Sequence, residues 1–294
     1  MTLEQLRIFV AVAEREHLTR GAAAVHLSPS AASTAIRQLE QRYGTPLFNR
    51  VGRQIELTES GERFLPEARR ALAAAAAAEL ALSEVGQQPS GSLRLQASQT
   101  VAAYWLPPVL MRFHAGHLAV ELTLTIGNTE TVSQAILDGA ADLGFIEGEI
   151  DEPALAMRLV ATDRLLVLTA PDHPWATTPP DYAALARGPW ILRERGSGTR
   201  SAFEASLSAD GIDPSTLEVA LTLPSNEAIL TAVASGGYAG VLSERVAAAA
   251  LAAGQLRRID FDLRPRPFRM LWHKERYRTR AAQAFEALLP RHIR

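Results

Sequence analysis

Residues Glu59 to Val85 carry one helical pattern, about 40 Å of rod at 1.5 Å per residue. A chain of 294 residues is too long for one ordinary compact core, and the rod marks where it divides. Residues 1–58 precede it as a head, residues 59–90 form the rod and a hinge, and residues 91–294 follow as a body. The alanine run Ala73–Ala78 favours helix strongly. Leu65, Ala68, Leu72 and Ala75, resumed at Leu82, have the spacing by which one helix pairs with another. Pro66 lies inside the pattern and predicts a bend. Gly86-Gln-Gln-Pro-Ser-Gly-Ser92 reads as a linker.

The head holds three helical patterns. Residues 3–16 place Leu3, Leu6, Ile8, Phe9, Val10, Val12 and Ala13 at helical spacing. A short helix fits Thr19 to Val25, with Thr19 as N-cap and Ala22 and Ala23 as small packing residues. His26-Leu27 turns the chain. Ser28-Pro29 then starts a helix: a serine N-cap, followed by proline where its missing N–H costs nothing. That helix runs to about Tyr43 and stops at Gly44, with Pro46 beyond. Leu47–Arg50 and Gln54–Thr58 flank a Gly52 turn and predict a small β-wing.

On a helical wheel, Ala32, Ile36, Leu39 and Tyr43 share one side of the third helix. Ser30, Thr34, Arg37 and Gln41 fall opposite, flanked by Ser33 and Gln38, with Glu40 off the stripe. Arginine reads guanine edges in the major groove, glutamine reads adenine, and short hydroxyls adapt to either. A lone helix with such a face is most simply solvated. After a tight helix-turn-helix, and before a wing carrying Arg50 and Arg53, it reads as a DNA-docking element. The wing arginines then meet phosphates or reach into a groove.

The body alternates strands and helices. Leu93–Ala97, Val120–Ile126, Leu143–Ile146, Leu165–Thr169, Trp190–Arg193, Leu217–Leu223, Val241–Ser243 and Met270–His273 read as strands. The alternation predicts mainly parallel sheets flanked by helices, which bind ligands at strand C-termini. Hydroxyl and amide residues stand at four such ends: Ser98 and Thr100, Asn128 and Thr129, Ser197 and Thr199, Ser225 and Asn226. Taken singly, each is an ordinary N-cap; taken together, they predict a shared cleft with free N–H groups for an anion. Gly196-Ser-Gly-Thr-Arg200 is the best of them, its glycines allowing close backbone approach, with Arg193, Arg195 and Arg200 adding charge. Glu147 ends a strand beside them and is expected either to pair with one of these arginines or to accept from a ligand.

Composition narrows the function classes. The net charge of −2 is unusual for a DNA binder, but a large neutral body can mask a small basic head. There are no cysteines, so disulfides and thiolate chemistry are excluded. No apolar run approaches the roughly 18 residues of a membrane span, and the N-terminus lacks the marks of a secretory signal, which favours the cytoplasm. Arginine supplies nearly all the positive charge, Lys274 being the only lysine. His114 and His117 are spaced i, i+3, but no further metal ligand is placed near them, so no metal is expected. No Ser-His-Asp spacing, P-loop or dinucleotide fingerprint stands out, and Gly196-Ser-Gly-Thr lacks the lysine of a P-loop. An enzyme is therefore the weaker reading. A transport solute-binding protein would need an export signal and no DNA-binding head.

One combination is highly specific: Phe9-Val-Ala-Val-Ala13, Leu18-Thr-Arg20, Ala22-Ala23, Leu27-Ser-Pro-Ser-Ala-Ala-Ser33, Ile36, Leu39-Glu40, Gly44-Thr-Pro-Leu-Phe-Asn-Arg50 and Leu57-Thr-Glu-Ser-Gly61. It resembles the winged helix-turn-helix and linker helix of LysR-type transcriptional regulators. The resemblance implies that the start of the recognition helix (Ser28, Pro29, Ser30), with Ser33, Thr34 and Arg53, contacts DNA. Family members often have glutamine where this chain has Pro29. That shifts the weight of base reading to Ser30, Ser33, Thr34 and Arg37, with Gln38 and Arg50 beside them. It implies further that residues 91–294 are a two-lobed α/β effector domain related to periplasmic solute-binding proteins. Lobe I would be about 91–161 with 267–294, and lobe II about 162–266.

Trp190–Arg200, Ile126–Glu130 and Ser225–Ile229 are similar to a subgroup that regulates sulfite reduction, sulfur assimilation and carbon fixation. Effectors there are small anions or phosphorylated metabolites, which implies an anionic effector and no cofactor. Its site would be Ser98, Thr100, Asn128, Thr129, Glu147, Arg193, Arg195, Ser197, Thr199 and Ser225. The partners implied are double-stranded DNA and copies of the chain itself, as a dimer through the linker helix and a tetramer of two dimers. RNA polymerase is a further implied partner, and no membrane is.

Overall fold

The computed structural model describes residues 1–51, 54–83, 88–181, 184–185 and 188–290. Its contacts form two units. The first holds α1 to α4 and counts Leu137–Ala140 and Arg276–Arg278 with them; the second holds the rest of the elements from β3 onward.

In the first unit, α1 (Leu3–Ala13) opens with a capping box: Thr2 Oγ1 accepts from the Gln5 N–H, and Gln5 Oε1 accepts from the Thr2 N–H. α2 spans Leu18–Ala24. Its cap is His17, whose Nδ1 accepts from the Arg20 N–H at 3.4 Å, and not the expected Thr19. The backbone is extended at His17 and already helical at Leu18, so Thr19 lies one position inside the first turn. Of the two alanines expected to pack, Ala22 is buried and Ala23 exposed, and Gly21 beside them lies hard against α1. A Cβ there would lie 2.5 Å from Val12 Cα. His26 takes a left-handed turn conformation, φ 59°, before α3 (Pro29–Tyr43), which is capped by Ser28 and closed by Gly44 at φ 63°.

β1 (Phe48–Val51) and β2 (Gln54–Leu57) pair antiparallel as the wing. Phe9 is fully buried, its ring centroid 5.5 Å from Phe48 and 5.0 Å from Phe64. α4 (Glu59–Ser83) runs as one helix through Pro66, and Glu84 and Val85, in the expected helix, lie outside the described residues. Gly86 and Gln87 of the expected linker lie outside them too.

The second unit contains two five-stranded sheets. The first takes the order β4 (Val120–Gly127), β3 (Gly91–Ser98), β5 (Leu143–Glu147), β12 (Arg266–His273), β6 (Leu155–Asp163). The second takes the order β11 (Arg257–Arg258), β7 (Leu165–Thr169), β10 (Ala239–Ser243), β8 (Trp190–Arg193), β9 (Val219–Leu223). The chain crosses once between β6 and β7 and returns through β12. Helices α5 (Pro107–Gly116), α6 (Thr129–Asp138) and α10 (Arg280–Leu288) belong to the first lobe, and α7 (Gly198–Ala209), α8 (Asn226–Ala234) and α9 (Glu244–Ala252) to the second.

The sheets are less parallel than the alternation predicted. Three neighbours in each run parallel, while β6, β12, β7 and β11 pair antiparallel. The two crossing segments supply β6, β12 and β7, and they lie alongside each sheet without needing a crossover helix. The strand expected from Leu217 begins at Val219, after a short 3-10 turn at Pro214–Thr216. β5, β7, β8 and β10 are buried throughout, as strands covered on both faces must be. Among the described residues, no helix is long and apolar enough to cross a membrane.

Replacing Gly21 with alanine is expected to force α1 and α2 apart and destabilise the head by about 1–3 kcal/mol. Faster amide exchange in both helices, against no change for Ala23→Ser on the exposed side, is the measurement; unchanged exchange would refute the close-packing account.

Candidate functional site

The outward face of α3 is the first candidate. Ser30, Thr34, Arg37, Gln38 and Gln41 are exposed and Ser33 is half-buried, while Ala32, Ile36 and Leu39 are buried. Tyr43, on the same side of the wheel as these three, is 55% exposed and lies beneath the Arg42 guanidinium. The helix stops at Gly44 immediately after it, so its ring projects past the core. Pro29 is exposed. The Ser28 hydroxyl is engaged at home: it accepts from the Ala31 N–H at 3.2 Å and meets Ser30 Oγ at 3.0 Å. Arg37 Nε donates to Ser33 O at 3.3 Å, which lays the guanidinium along the helix. Glu40 Oε1 accepts from the N–H groups of Leu47 and Phe48 at 2.8 and 3.2 Å, tying α3 to the start of the wing. Arg50 sits in β1 opposite Ile55. Its side chain, and Arg53 altogether, lie outside the described residues.

The second candidate is the cleft between the two sheets of the body. Ser98, Thr100, Glu147, Arg193, Ser197, Thr199 and Asn226 are all buried there. The structure separates strand-end residues that are ordinary caps from those that are not. Ser225 Oγ accepts from the Ala228 N–H, and Asn128 Oδ1 accepts from the Thr131 N–H. Thr100 and Ser197 occupy N-cap positions without making a side-chain cap bond. Ser98 Oγ is buried without a hydrogen-bond partner. Thr129 donates to the Glu147 carbonyl, and a Cβ on Gly198 would lie 2.6 Å from Thr129 Oγ1, so the lobes meet closely at that point.

At the centre stands Arg266, the first residue of β12, buried and not among the site residues expected from the sequence. Its Nε donates to Asp163 Oδ2 at 2.9 Å, Nη1 to Thr199 Oγ1 at 2.9 Å and Nη2 to Thr100 Oγ1 at 3.4 Å. The partner expected for Glu147 was Arg193, Arg195 or Arg200; the cation beside it is Arg266, 3.6 Å away. Arg195 is exposed and takes part in none of these contacts. Arg200 turns back to Glu204 and the Arg193 carbonyl.

A second chain of contacts crosses the cleft twice. Asn226 donates to Thr100 Oγ1 at 3.2 Å, and Arg193 Nη1 donates to Asn226 Oδ1 at 2.6 Å. Arg193 Nε and Nη2 donate to the two oxygens of Glu194 at 2.8 and 2.9 Å, and Asn128 Nδ2 donates to Glu194 Oε1 at 3.3 Å. Burial pushes the Glu194 carboxyl up, but the Arg193 hydrogen bonds and charge, its own backbone N–H and Asn128 outweigh this and hold it below the ordinary carboxylate range. Gln99 adds a third clasp, donating to Pro224 O and accepting from the Asn226 N–H.

Arg266, Asp163 and Gln99 escaped sequence reasoning because their partners lie far away in the chain, and Glu194 because a neighbouring arginine alone does not mark a site until Asn128 joins it from 66 residues away. The one available signal was Arg264-Pro-Arg-Pro267, an arginine between prolines where the chain returns to the first lobe. A cavity of about 430 Å³ opens from this cluster, lined by Thr129, Glu147, Gly198, Ser201, Arg264 and Arg266 among others.

Comparison with known proteins assigns each part. Residues 3–62 match the model of the bacterial regulatory helix-turn-helix protein, lysR family, and residues 86–294 match the LysR substrate binding domain. The chain is 35% identical over 288 residues to the uncharacterized HTH-type transcriptional regulator YeiE of Escherichia coli K12, covering 97% of this chain and 96% of that one. It is 32% identical over 274 residues to the RuBisCO operon transcriptional regulator of Allochromatium vinosum, covering 93% and 89%. Its fold is similar to full-length CbnR solved with its target DNA, with TM-score 0.67 at 21% identity and coverage of 98% and 99%.

Arg266→Met alone should leave buried Glu147 without its cation and Asp163 with only Arg245, 3.6 Å away, and cost about 3–5 kcal/mol. Urea unfolding followed by the body tryptophans measures it. The double variant Arg266→Met, Asp163→Leu should recover part of the loss, and a single variant as stable as the parent would remove Arg266 from its central position.

Proposed function

Because this chain belongs to the LysR family of bacterial transcriptional regulators, we propose that it sets transcription by binding a small anion between the lobes of its C-terminal domain. It is a DNA-binding regulator, and its reading elements are α3 and the wing. The anion reading rests above all on Ser98: a buried hydroxyl without a partner, in a cleft where Thr100 and Ser197 stand at helix starts without capping them. Helix starts carry free N–H groups and a positive dipole end, and anions bind to such groups. Arg193 and Arg266 supply full charges within the same cluster. The protein acts by binding, in the cytoplasm, and takes no cofactor.

Sulfur metabolism is the pathway we favour, from the likeness of Trp190–Arg200 and its two companion stretches to regulators of sulfite reduction. The identity to a RuBisCO operon regulator favours a second reading, a phosphorylated metabolite of carbon fixation. α4 is the natural dimer element, with Leu82 81% exposed. A dimer offers two copies of α3 to a partly symmetric site, and two dimers make the tetramer. The effector shifts lobe closure only by its differential affinity for the two states, and closure then alters the spacing of the heads.

The full-length protein should retard a fragment of its own upstream region at low salt; no retardation with or without effector would sink this reading. Thermal-shift screening with sulfite, sulfate, thiosulfate and phosphorylated sugars should single out the effector. Thr100→Ala and Ser197→Ala should then weaken the effector response about tenfold while effector-free DNA binding persists. Loss of DNA binding in both would contradict the division of labour. Arg37→Ala should weaken DNA binding by about 1–3 kcal/mol and relax discrimination at one base position. Gel shifts across single-base operator variants check this, and an unchanged profile would take Arg37 off the reading face.

A further inference from the structure

Arg193 is 4% exposed, and a buried guanidinium is tolerable only with an anion against it. In this structure the anion is the neighbouring side chain. Glu194 presents both carboxylate oxygens to Nε and Nη2 of Arg193, the fork-on-fork geometry that arginine also uses for external oxyanions. Asn128 of the first lobe reaches across and donates to the same carboxylate. The seat thus has three donors, two from the second lobe and one from the first. Arg193 is linked through Asn226 to Thr100, so the seat belongs to the cluster proposed to take the effector.

The two residues differ in freedom. The Arg193 side chain is 3% exposed and anchored on Asn226, whereas the Glu194 side chain is 27% exposed. The carboxylate has solvent to swing into; the guanidinium does not. An oxyanion with two oxygens on one central atom would keep the fork satisfied and keep a negative charge against the buried guanidinium.

We propose that the Glu194 carboxylate is a built-in competitor for the effector, seated on Arg193 and Asn128, and that an oxyanion binds by replacing it. This deepens the anion-site reading and rests on it for the identity of the cleft. Affinity is then the difference between two anions for one seat, so weak or singly bonded anions fail to displace the resident one. Displacement also releases the Asn128–Glu194 bond between the lobes, which couples occupancy to closure.

The test uses the full-length protein and isothermal titration with sulfite, thiosulfate and inorganic phosphate. Glu194→Gln removes the competing charge and keeps the shape. It should bind at least one of these anions about tenfold more tightly than the parent, a difference of about 1.4 kcal/mol. Glu194→Asp keeps the charge but is one methylene short of holding Arg193 and Asn128 together, and it should show a smaller gain. Having both variants keeps the test alive if Glu194→Gln does not fold. Equal or weaker binding in the folded variants overturns the proposal, as does no binding of any of the three anions to any of the proteins. Adding Thr100→Ala to Glu194→Gln separates the two ideas. If the gain survives that change in full, Glu194 is a competitor at Arg193, but the interlobe hydroxyl cluster is not the effector site. If parent and Glu194→Gln bind equally and Thr100→Ala weakens both, the anion site stands and the competitor falls.

Discussion

A buried guanidinium must be surrounded by acceptors, and the body of this protein is organised around that demand. Arg266 is the first residue of β12 and the register partner of Asp163, the last residue of β6. Those strands are the two crossings between the lobes. One side chain at the junction therefore donates hydrogen bonds to Thr100 on one lobe and Thr199 on the other. Asp163 is fixed in turn by Ser243, at the end of β10. The strand ends that form the cleft are thereby referred to one charged pair, and low local dielectric makes each missing bond expensive.

The head was largely legible from sequence because its signals are local. Ser28-Pro29 and Gly44 bound α3 where a serine cap, a first-turn proline and a left-handed glycine say they should. Expectation and structure part at the helix ends. His17 takes the cap from Thr19, and Tyr43 falls outside the core although its place on the wheel is apolar. Ala22 packs as read, but Gly21 beside it was passed over, although only a residue without a Cβ fits against Val12 there.

The cleft was legible as a set of positions but not as a set of bonds. Hydroxyls ahead of helices, Thr100 and Ser197 among them, lie at strand ends that the fold buries. Nothing local distinguished Ser225, whose hydroxyl is consumed by its own helix, from Ser197, whose hydroxyl makes no cap. Arg266 and Glu194 acquire their meaning from Thr199 and Asn128, across separations that helix and strand periodicity do not encode. The β6–β12 ladder was missed for the same reason. Its strands lie about a hundred residues apart in the chain and meet antiparallel inside an otherwise parallel pattern.

Glu40 makes the head a particular kind of mechanical object. Its carboxylate accepts two consecutive backbone N–H groups where the chain enters the wing. The two bonds set where the first strand of the wing leaves α3, so the spacing between them is fixed at that point by the fold and not by the DNA. A duplex that bends or narrows easily meets a preset spacing at less cost, and sequence is then favoured at positions no side chain touches.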